Sequence, residues 1–390
     1  MIAPDEQLAL LRRGAARIIS EAELEAKLRL GRPLNVKLGV DPTAPDIHLG
    51  FTVALQKLRQ FQDLGHQAIL IIGDFTAMIG DPSGRSKARP QLSHDQVMGN
   101  AKSFQAQAFK ILDPERTQTV FNGEWFEMMT FEQVMQLNGR VTLQQMLQRE
   151  DFKTRVERGE AVHLHEILYP LMQGWDSVKV KADVELGGTD QLFNILVGRD
   201  LQREEGQPEQ VVFLMPLLEG LDGVHKMSKS LGNYVGVNEL PSAMFGKIMS
   251  ITDELMARYY LLLLGEEVPA IHPMEAKKQL AARIVERYHG PGAAAGALDD
   301  FNTRFSKRSL GDADLPEIGP IAHGLDIVSL LVMAYAEGFQ ETRSRGDVRR
   351  LVEQGSAQLD GTKISDPKAV PELRSGSVLR LDKTHAVRLR

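Results

Sequence analysis

Residues 35–72 constrain the fold more than any other stretch of the chain. Asn35-Val36-Lys37-Leu38-Gly39-Val40 is a short, largely apolar run that ends in a turn at Asp41-Pro42-Thr43. From about Thr52, Leu55, Leu58, Phe61 and Leu64 recur at helical spacing, and Gly65 stops the helix. Gln67 to Ile72 is then an apolar run suited to a strand covered on both faces. Strand, helix and strand within about 40 residues make a βαβ unit. Similar runs recur at Thr117–Phe121, Val184–Leu186 and Val211–Leu214, with helical patterns between them. The expected fold of residues 1–220 is therefore α/β, a doubly wound parallel sheet of Rossmann type, with an insertion near 120–165. Such sheets bind ligands at the carboxyl ends of their strands, where the unusual residues of this chain fall.

Beyond the sheet, Pro241 to Tyr288 reads as helical, so residues 221–305 are expected to form a loop followed by an all-helical domain. Gly290 to Gly296, with Pro291, is a hinge candidate, and residues 306–324 hold Gly, Pro and Asp with little periodicity, as a linker would. A last, small α+β domain is expected over 325–390, with helices near Leu325–Ala336 and Arg343–Gln354 and a hairpin at Asp360-Gly361. No apolar stretch approaches the ~20 residues that span a bilayer, and the N-terminus reads as a helix rather than a signal peptide. The chain has no cysteine, which excludes disulfides and thiolate metal sites and fits a reducing cytoplasm. The net charge of −6 is unevenly divided. Residues 341–390 hold 11 Lys and Arg against 7 Asp and Glu, or +4, which leaves −10 on the other 340. A basic tail on an acidic body is what a protein that meets a polyanion would carry; a solvated basic surface would look the same.

Two segments suit the phosphates of a nucleotide. In Asp46-Ile47-His48-Leu49-Gly50-Phe51, Gly50 lets an adenine ring lie against the backbone of a helix start, and His48 can donate to a phosphate oxygen. In Lys226-Met227-Ser228-Lys229-Ser230, two lysines sit on a loop before Leu231-Gly232. They can neutralise charge that develops on a pentavalent α-phosphorus, and a loop can open for entry and release. A bare pair of lysines is ordinarily a solvated loop; the full five residues after an apolar strand argue for function.

Three further segments suit an amino acid. Gly73 to Gly84 follows the second strand, and Asp81 is the carboxylate chosen for a free α-amino group; a helix cap is its plainer reading. Tyr169, Gln173 and Asp176 fall at i, i+4 and i+7, on one helical face, although Pro170 must either lie in the first turn or kink the helix. With Asp81, Tyr169 and Gln173 can hold an ammonium, and Asp176 can accept a phenol O–H. Gln and Asp together are unusual on a core face. Gly187-Gly188-Thr189-Asp190-Gln191 admits a ribose to the backbone, with Asp190 for its hydroxyls and Gln191 for acyl or α-phosphate oxygens; a Gly-Gly turn would also read this way.

In this order the segments resemble class I aminoacyl-tRNA synthetases, and Gly-Asp-Pro-Ser-Gly, Tyr-Pro-Leu-Met-Gln-Gly-Trp-Asp and Gly-Gly-Thr-Asp-Gln resemble the tyrosyl branch over the tryptophanyl one. The resemblance covers nearly the whole chain. It implies ATP with Mg²⁺, tyrosine and tRNA(Tyr) as substrates, no tightly bound cofactor, no protein metal site, no membrane, and a cytoplasmic homodimer. It implies that Asp81, Tyr169 and Gln173 bind the amino group of tyrosine and Asp176 its hydroxyl, with Lys37, Asp41 and Gln191 completing that pocket. Gly50, Gly188 and Asp190 would meet the AMP moiety. His48, Thr43, Lys226 and Lys229 would contact the departing pyrophosphate, with Met227, Ser228 and Ser230 forming the rest of the ATP loop. The segment from Ser344 to Gly361 looks like the small RNA-binding domain named for ribosomal protein S-four, with Arg345, Arg349 and Arg350 facing phosphates.

Three departures stand out: Phe51 replaces the usual second histidine, Lys37 stands where many members have tyrosine, and Trp175 stands where the lysine-bearing subgroup has tyrosine. The insertion around Gly139–Glu160 is where subunits of the family meet; alternatively its Arg149, Lys153, Arg155 and Arg158 hold the tRNA acceptor arm. Rival readings are a tryptophanyl enzyme, an RNA-binding paralogue that has lost catalysis, and a nucleotidyltransferase that shares only the helix start.

Overall fold

The computed structural model describes residues 2–83, 92–303, 315–319, 324–382 and 385–390, which fall into two compact units, Met1–Ala294 and Ala295–Arg390.

The first unit is built on a six-stranded sheet: β1 (Arg17–Ile19), β2 (Asn35–Val40), β3 (Gln67–Ile72), β4 (Thr117–Phe121), β5 (Val184–Gly188) and β6 (Val211–Met215). Its order is β1-β6-β5-β2-β3-β4. β2 to β6 are parallel, and the short β1 closes one edge antiparallel to β6. The apolar runs decide this: β6 is buried along its whole length and β3 from Ala68 onward, as both-face coverage by helices requires. The expected strands therefore appear, two of them longer by a residue or two, while β1 was not foreseen. From β2 the chain winds one way to β3 and β4, and later the other way from β5 to β6. The crevice lies where the direction reverses, outside the carboxyl ends of β2 and β5.

Three helices aim residues at that crevice. Leu49–Asp63 follows β2 and buries Leu55, Leu58 and Phe61 completely. Leu164–Val180 continues through Pro170, so the proline is neither in the first turn nor a helix end; the chain forgoes one backbone bond there. Leu192–Glu204 follows β5. Between β4 and Leu164–Val180 the insertion forms short helices at Gly123–Phe126, Phe131–Asn138, Leu143–Met146 and Glu150–Glu157. The helices Pro241–Met249, Asp253–Tyr259 and Pro273–His289 belong to the same unit as the sheet. At the expected hinge the chain turns at Gly290, φ +86°, and Pro291 opens a new helix, Pro291–Phe301, since proline suits a first helical position.

The second unit carries β7 (Glu317–Ile318), helices Ile327–Phe339 and Arg345–Glu353, β8 (Gln358–Leu359), β9 (Thr362–Lys363), β10 (Val378–Arg380) and β11 (Ala386–Leu389). The sheet order is β7-β11-β10-β8-β9. β8 and β9 form the expected hairpin: Asp360 and Gly361, at φ +49° and +81°, make the two-residue turn between Leu359 and Thr362. Most of the expected linker lies outside the described residues. Its described part is not a linker, because β7 pairs in parallel with β11 and Ile318 is buried with Leu330, Leu331 and Val387.

Candidate functional site

At the carboxyl end of β2, Asp41 accepts from Thr76 Oγ1 at 2.8 Å and from the Tyr169 hydroxyl at 2.9 Å. Thr43 lies two residues on, its N–H bonded to the Asp41 carbonyl. Past β3, the turn through Gly80 sets Asp81 beside β5's loop: Asp81 accepts from Ser83 N–H and Oγ at 2.9 and 2.6 Å and from Gln191 Nε2 at 2.9 Å. Gln173 Oε1 accepts from Asn194 Nδ2 at 2.9 Å, and the same nitrogen donates to Gln191 Oε1 at 3.1 Å. The structure thus joins Asp81, Gln173 and Gln191 in one network through Asn194, a residue the sequence reading missed, while Asp41 and Tyr169 bond to each other.

Asp176 sits one turn beyond Gln173 and is buried. Trp125 Nε1 donates to its Oδ1 at 3.0 Å and Asn122 Nδ2 to its Oδ2 at 3.3 Å. Burial pushes its pKa up to about 7, against the opposing pull of the Lys37 charge and these two donors. Neither Asn122 nor Trp125 was singled out from sequence, although both lie just past the carboxyl end of β4, where ligand-facing residues belong.

Lys37 reaches the pocket indirectly, contrary to its expected place in the tyrosine set. The fully buried ammonium donates to the Gln173 carbonyl at 2.8 Å and Ser177 Oγ at 2.7 Å and pairs with Glu185 at 3.0 Å, which uses its three protons. Glu185, also missed, takes further bonds from Gln173, Ser177 and Gln210.

The nucleotide-type segments also meet one another. His48 is the N-cap residue of Leu49–Asp63 and pairs as a β-bridge with Gly236. Burial, then Lys229 and Lys226, bring its pKa down to about 4, so it is a neutral imidazole at pH 7; its buried Nδ1 has no partner among the described residues. The Gly50 N–H donates to Met227 Sδ at 3.2 Å, and a Cβ on Gly50 would lie 3.1 Å from His48 Nδ1 and 3.2 Å from Met227 Cβ. The lysine loop therefore rests on the helix start. Lys229 Nζ reaches the Asp46 carbonyl, Lys226 pairs with Asp190 at 3.2 Å, and the hydroxyls of Ser228 and Ser230 bond to each other. At Gly188 a Cβ would come within 2.7 Å of Asp190 Oδ1 and 2.8 Å of Leu217, so a side chain there would push both of these aside.

The departures have structural accounts. Phe51 packs edge-on against Phe104, centroids 5.2 Å apart. Trp175 lies between the Arg140 guanidinium and the Lys179 ammonium, at 5.3 and 5.4 Å, on a cleft of about 420 Å³ that Trp125 and Leu137 also line. In the insertion, Arg149 and Arg155 are buried and committed: Arg155 forms a two-armed pair with Glu166, and Arg149 bonds Ser83 and Asn194. Neither is available to a tRNA arm; Lys153 and Arg158 are exposed. In the second unit Arg345, Arg349 and Arg350 share the exposed side of one helix, each in a solvent-facing pair with Asp326, Glu353 and Asp347 respectively. Among the described residues no cluster of His, Asp and Glu could hold a metal, and no helix is long and apolar enough to cross a membrane.

A doubly wound sheet whose switch point carries a glycine–histidine helix start and a lysine loop matches the family model described as tRNA synthetases class I (W and Y) over residues 29–306. The chain belongs to that family. It is 50% identical to the tyrosine–tRNA ligase of Moorella thermoacetica, over 98% of this chain and 95% of that one. It is 48% identical to that of Aquifex aeolicus, over 97% of each. Solved structures with a similar fold include a C-terminally truncated mitochondrial tyrosyl-tRNA synthetase from Coccidioides posadasii (TM-score 0.61, 24% identity, covering 75% of this chain and 91% of that one). Another is tyrosyl-tRNA synthetase from Archaeoglobus fulgidus, complexed with L-tyrosine (TM-score 0.61, 23% identity, covering 76% of this chain and all of that one).

Proposed function

We propose that this chain is a tyrosine–tRNA ligase: it joins tyrosine to ATP as tyrosyl-adenylate, releasing pyrophosphate, and passes the tyrosyl group to the 3′ end of tRNA(Tyr). The observation that carries the amino-acid assignment is Asp176, a buried carboxylate held by Asn122 and Trp125 on the same helix as Tyr169 and Gln173. It is suited to accept the phenol O–H, while Asp81, Tyr169 and Gln173 take the ammonium.

In the first step the tyrosine carboxylate is itself the nucleophile on the α-phosphorus, so no general base is needed; rate comes from alignment and charge stabilisation. Gly50 and Gly188 leave room for adenosine, Asp190 holds the ribose, and Lys226 and Lys229 let go of Asp190 and the Asp46 carbonyl to meet the phosphates. His48, uncharged, donates one N–H to a phosphate oxygen without adding a charge, with Thr43 beside it. Mg²⁺ enters with the nucleotide as part of the substrate. In the second step a ribose hydroxyl of the tRNA terminus attacks the acyl carbon and AMP leaves. Residues 1–220 and the loop at 226–230 do this chemistry, and the basic helix Arg345–Glu353 holds RNA. The chain works in the cytoplasm as a homodimer joined through the insertion, whose exposed Met128, Phe131, Met135 and Leu143 support such an interface. Exchange of labelled pyrophosphate into ATP, run with a panel of amino acids, tests the reading: tyrosine alone should sustain it, and exchange with tryptophan or with none would refute it.

A further inference from the structure

Behind the carboxylate of Asp81 lies a layer of polar side chains that substrate would not touch. Its centre is Arg149, immediately before the helix Glu150–Glu157 of the insertion and only 6% exposed. Its Nη2 donates to Ser83 Oγ at 2.8 Å, its Nη1 to Asn194 Oδ1 at 3.0 Å and its Nε to Asp151 Oδ1 at 2.8 Å. The Phe152 ring lies 5.0 Å from the guanidinium carbon. A planar fork held on every edge fixes its partners as a lysine could not.

Two routes lead from this fork to the ammonium end of the pocket. Ser83 receives the guanidinium proton on its oxygen, which turns its own O–H toward Asp81 Oδ1, 2.6 Å away. Asn194, its oxygen committed to Arg149, must donate from Nδ2, and does so to Gln173 Oε1 at 2.9 Å and Gln191 Oε1 at 3.1 Å. Those amides then turn their NH₂ groups away from Asn194, Gln191 to Asp81 Oδ2 at 2.9 Å and Gln173 to Glu185 Oε1 at 3.0 Å. A guanidinium only donates, so it sets the direction of each bond in the layer; an Asn194 flip would set NH₂ against NH₂.

We infer that Arg149 is a positioning residue for the ammonium end of the amino-acid pocket, acting through Ser83 on Asp81 and through Asn194 on Gln173 and Gln191. The inference rests on the tyrosine reading above. It makes the insertion a structural part of substrate selection in its own subunit.

The test compares tyrosinol with 3-(4-hydroxyphenyl)propan-1-ol, which has the same phenol and alcohol but no amine, as ligands of the full chain. Arg149→Met should weaken tyrosinol about tenfold, the scale of one lost bond to a charged group, and leave the amine-free alcohol unchanged. Tyrosine KM should rise with kcat largely kept. Ser83→Ala, which keeps the arginine, its 4.0 Å ion pair with Asp81 and the Asn194 route but removes the hydroxyl relay, should show a smaller loss with the same selectivity and serves if Arg149→Met does not fold. Equal weakening of both ligands, or of neither, overturns the inference. Wild-type protein that binds the two alcohols equally would instead overturn the tyrosine reading on which it stands.

Discussion

Replacing Asp176 by asparagine isolates the phenol end of the pocket, because shape is kept while a two-oxygen acceptor becomes an amide. The carboxylate now receives Trp125 Nε1 at 3.0 Å and Asn122 Nδ2 at 3.3 Å. An amide has one oxygen, so its NH₂ must face one of these donors or the incoming hydroxyl. A hydrogen bond to a charged acceptor contributes about 1.5–3 kcal/mol, so losing it should lower kcat/KM for tyrosine by about 10- to 150-fold. Phenylalanine brings no hydroxyl and should lose far less, so selectivity for tyrosine over phenylalanine should fall by nearly the whole factor. The KM for ATP should not change, since Asp176 is not among the residues around Gly50 and Gly188. The assay is pyrophosphate exchange with each amino acid, with circular dichroism to confirm folding. An unchanged tyrosine-to-phenylalanine ratio in folded protein would show that Asp176 does not receive the hydroxyl.

Asp176 also has a pH signature: its folded pKa, about 7 against an ordinary 3.8, means the folded chain holds a proton that the unfolded chain releases between those values. Its contribution to stability is therefore favourable to the acid side and is lost as pH rises through that window, so urea midpoints of wild type relative to Asp176→Asn should decline from pH 4 to 7. Lys37→Met should destabilise by about 3–5 kcal/mol in denaturant titrations, because Glu185, 1% exposed, is left as an unpaired buried charge; Lys37→Met with Glu185→Gln should recover much of it. Replacing Arg345, Arg349 and Arg350 together by alanine should leave pyrophosphate exchange intact and weaken tRNA charging most at low salt, where wild type gains most from phosphate contacts, since their surface pairs contribute about 0–1 kcal/mol each and can be exchanged for phosphates.

The sheet was legible because buried parallel strands must be continuously apolar, and runs such as Gln67–Ile72 have few other uses. β1 was hidden because three residues at an edge, only partly covered, need no such pattern. β7 was hidden because two residues between unpatterned neighbours become a strand only when β11 arrives from 71 positions away. In the site, residues on a recurring motif could be named from their spacing. The places of Asn122, Arg149, Glu185 and Asn194 in the site could not, because they are set by what lies across the crevice rather than along the chain. Arg149 shows the limit best: an arginine among charged neighbours reads as surface, and only tertiary placement reveals it at 6% exposure behind Asp81.

The interior place of β11 in its sheet bears on how the chain is made. The strands of the first unit's sheet have all been synthesised by residue 215, so that sheet can assemble while translation continues. The second sheet cannot, because β7 has no neighbour until residues near 389 have cleared the ribosome. A stalled or prematurely ended message would thus yield a finished catalytic sheet trailing an open strand edge. Such products should draw proteases and chaperones to the tail rather than to the body.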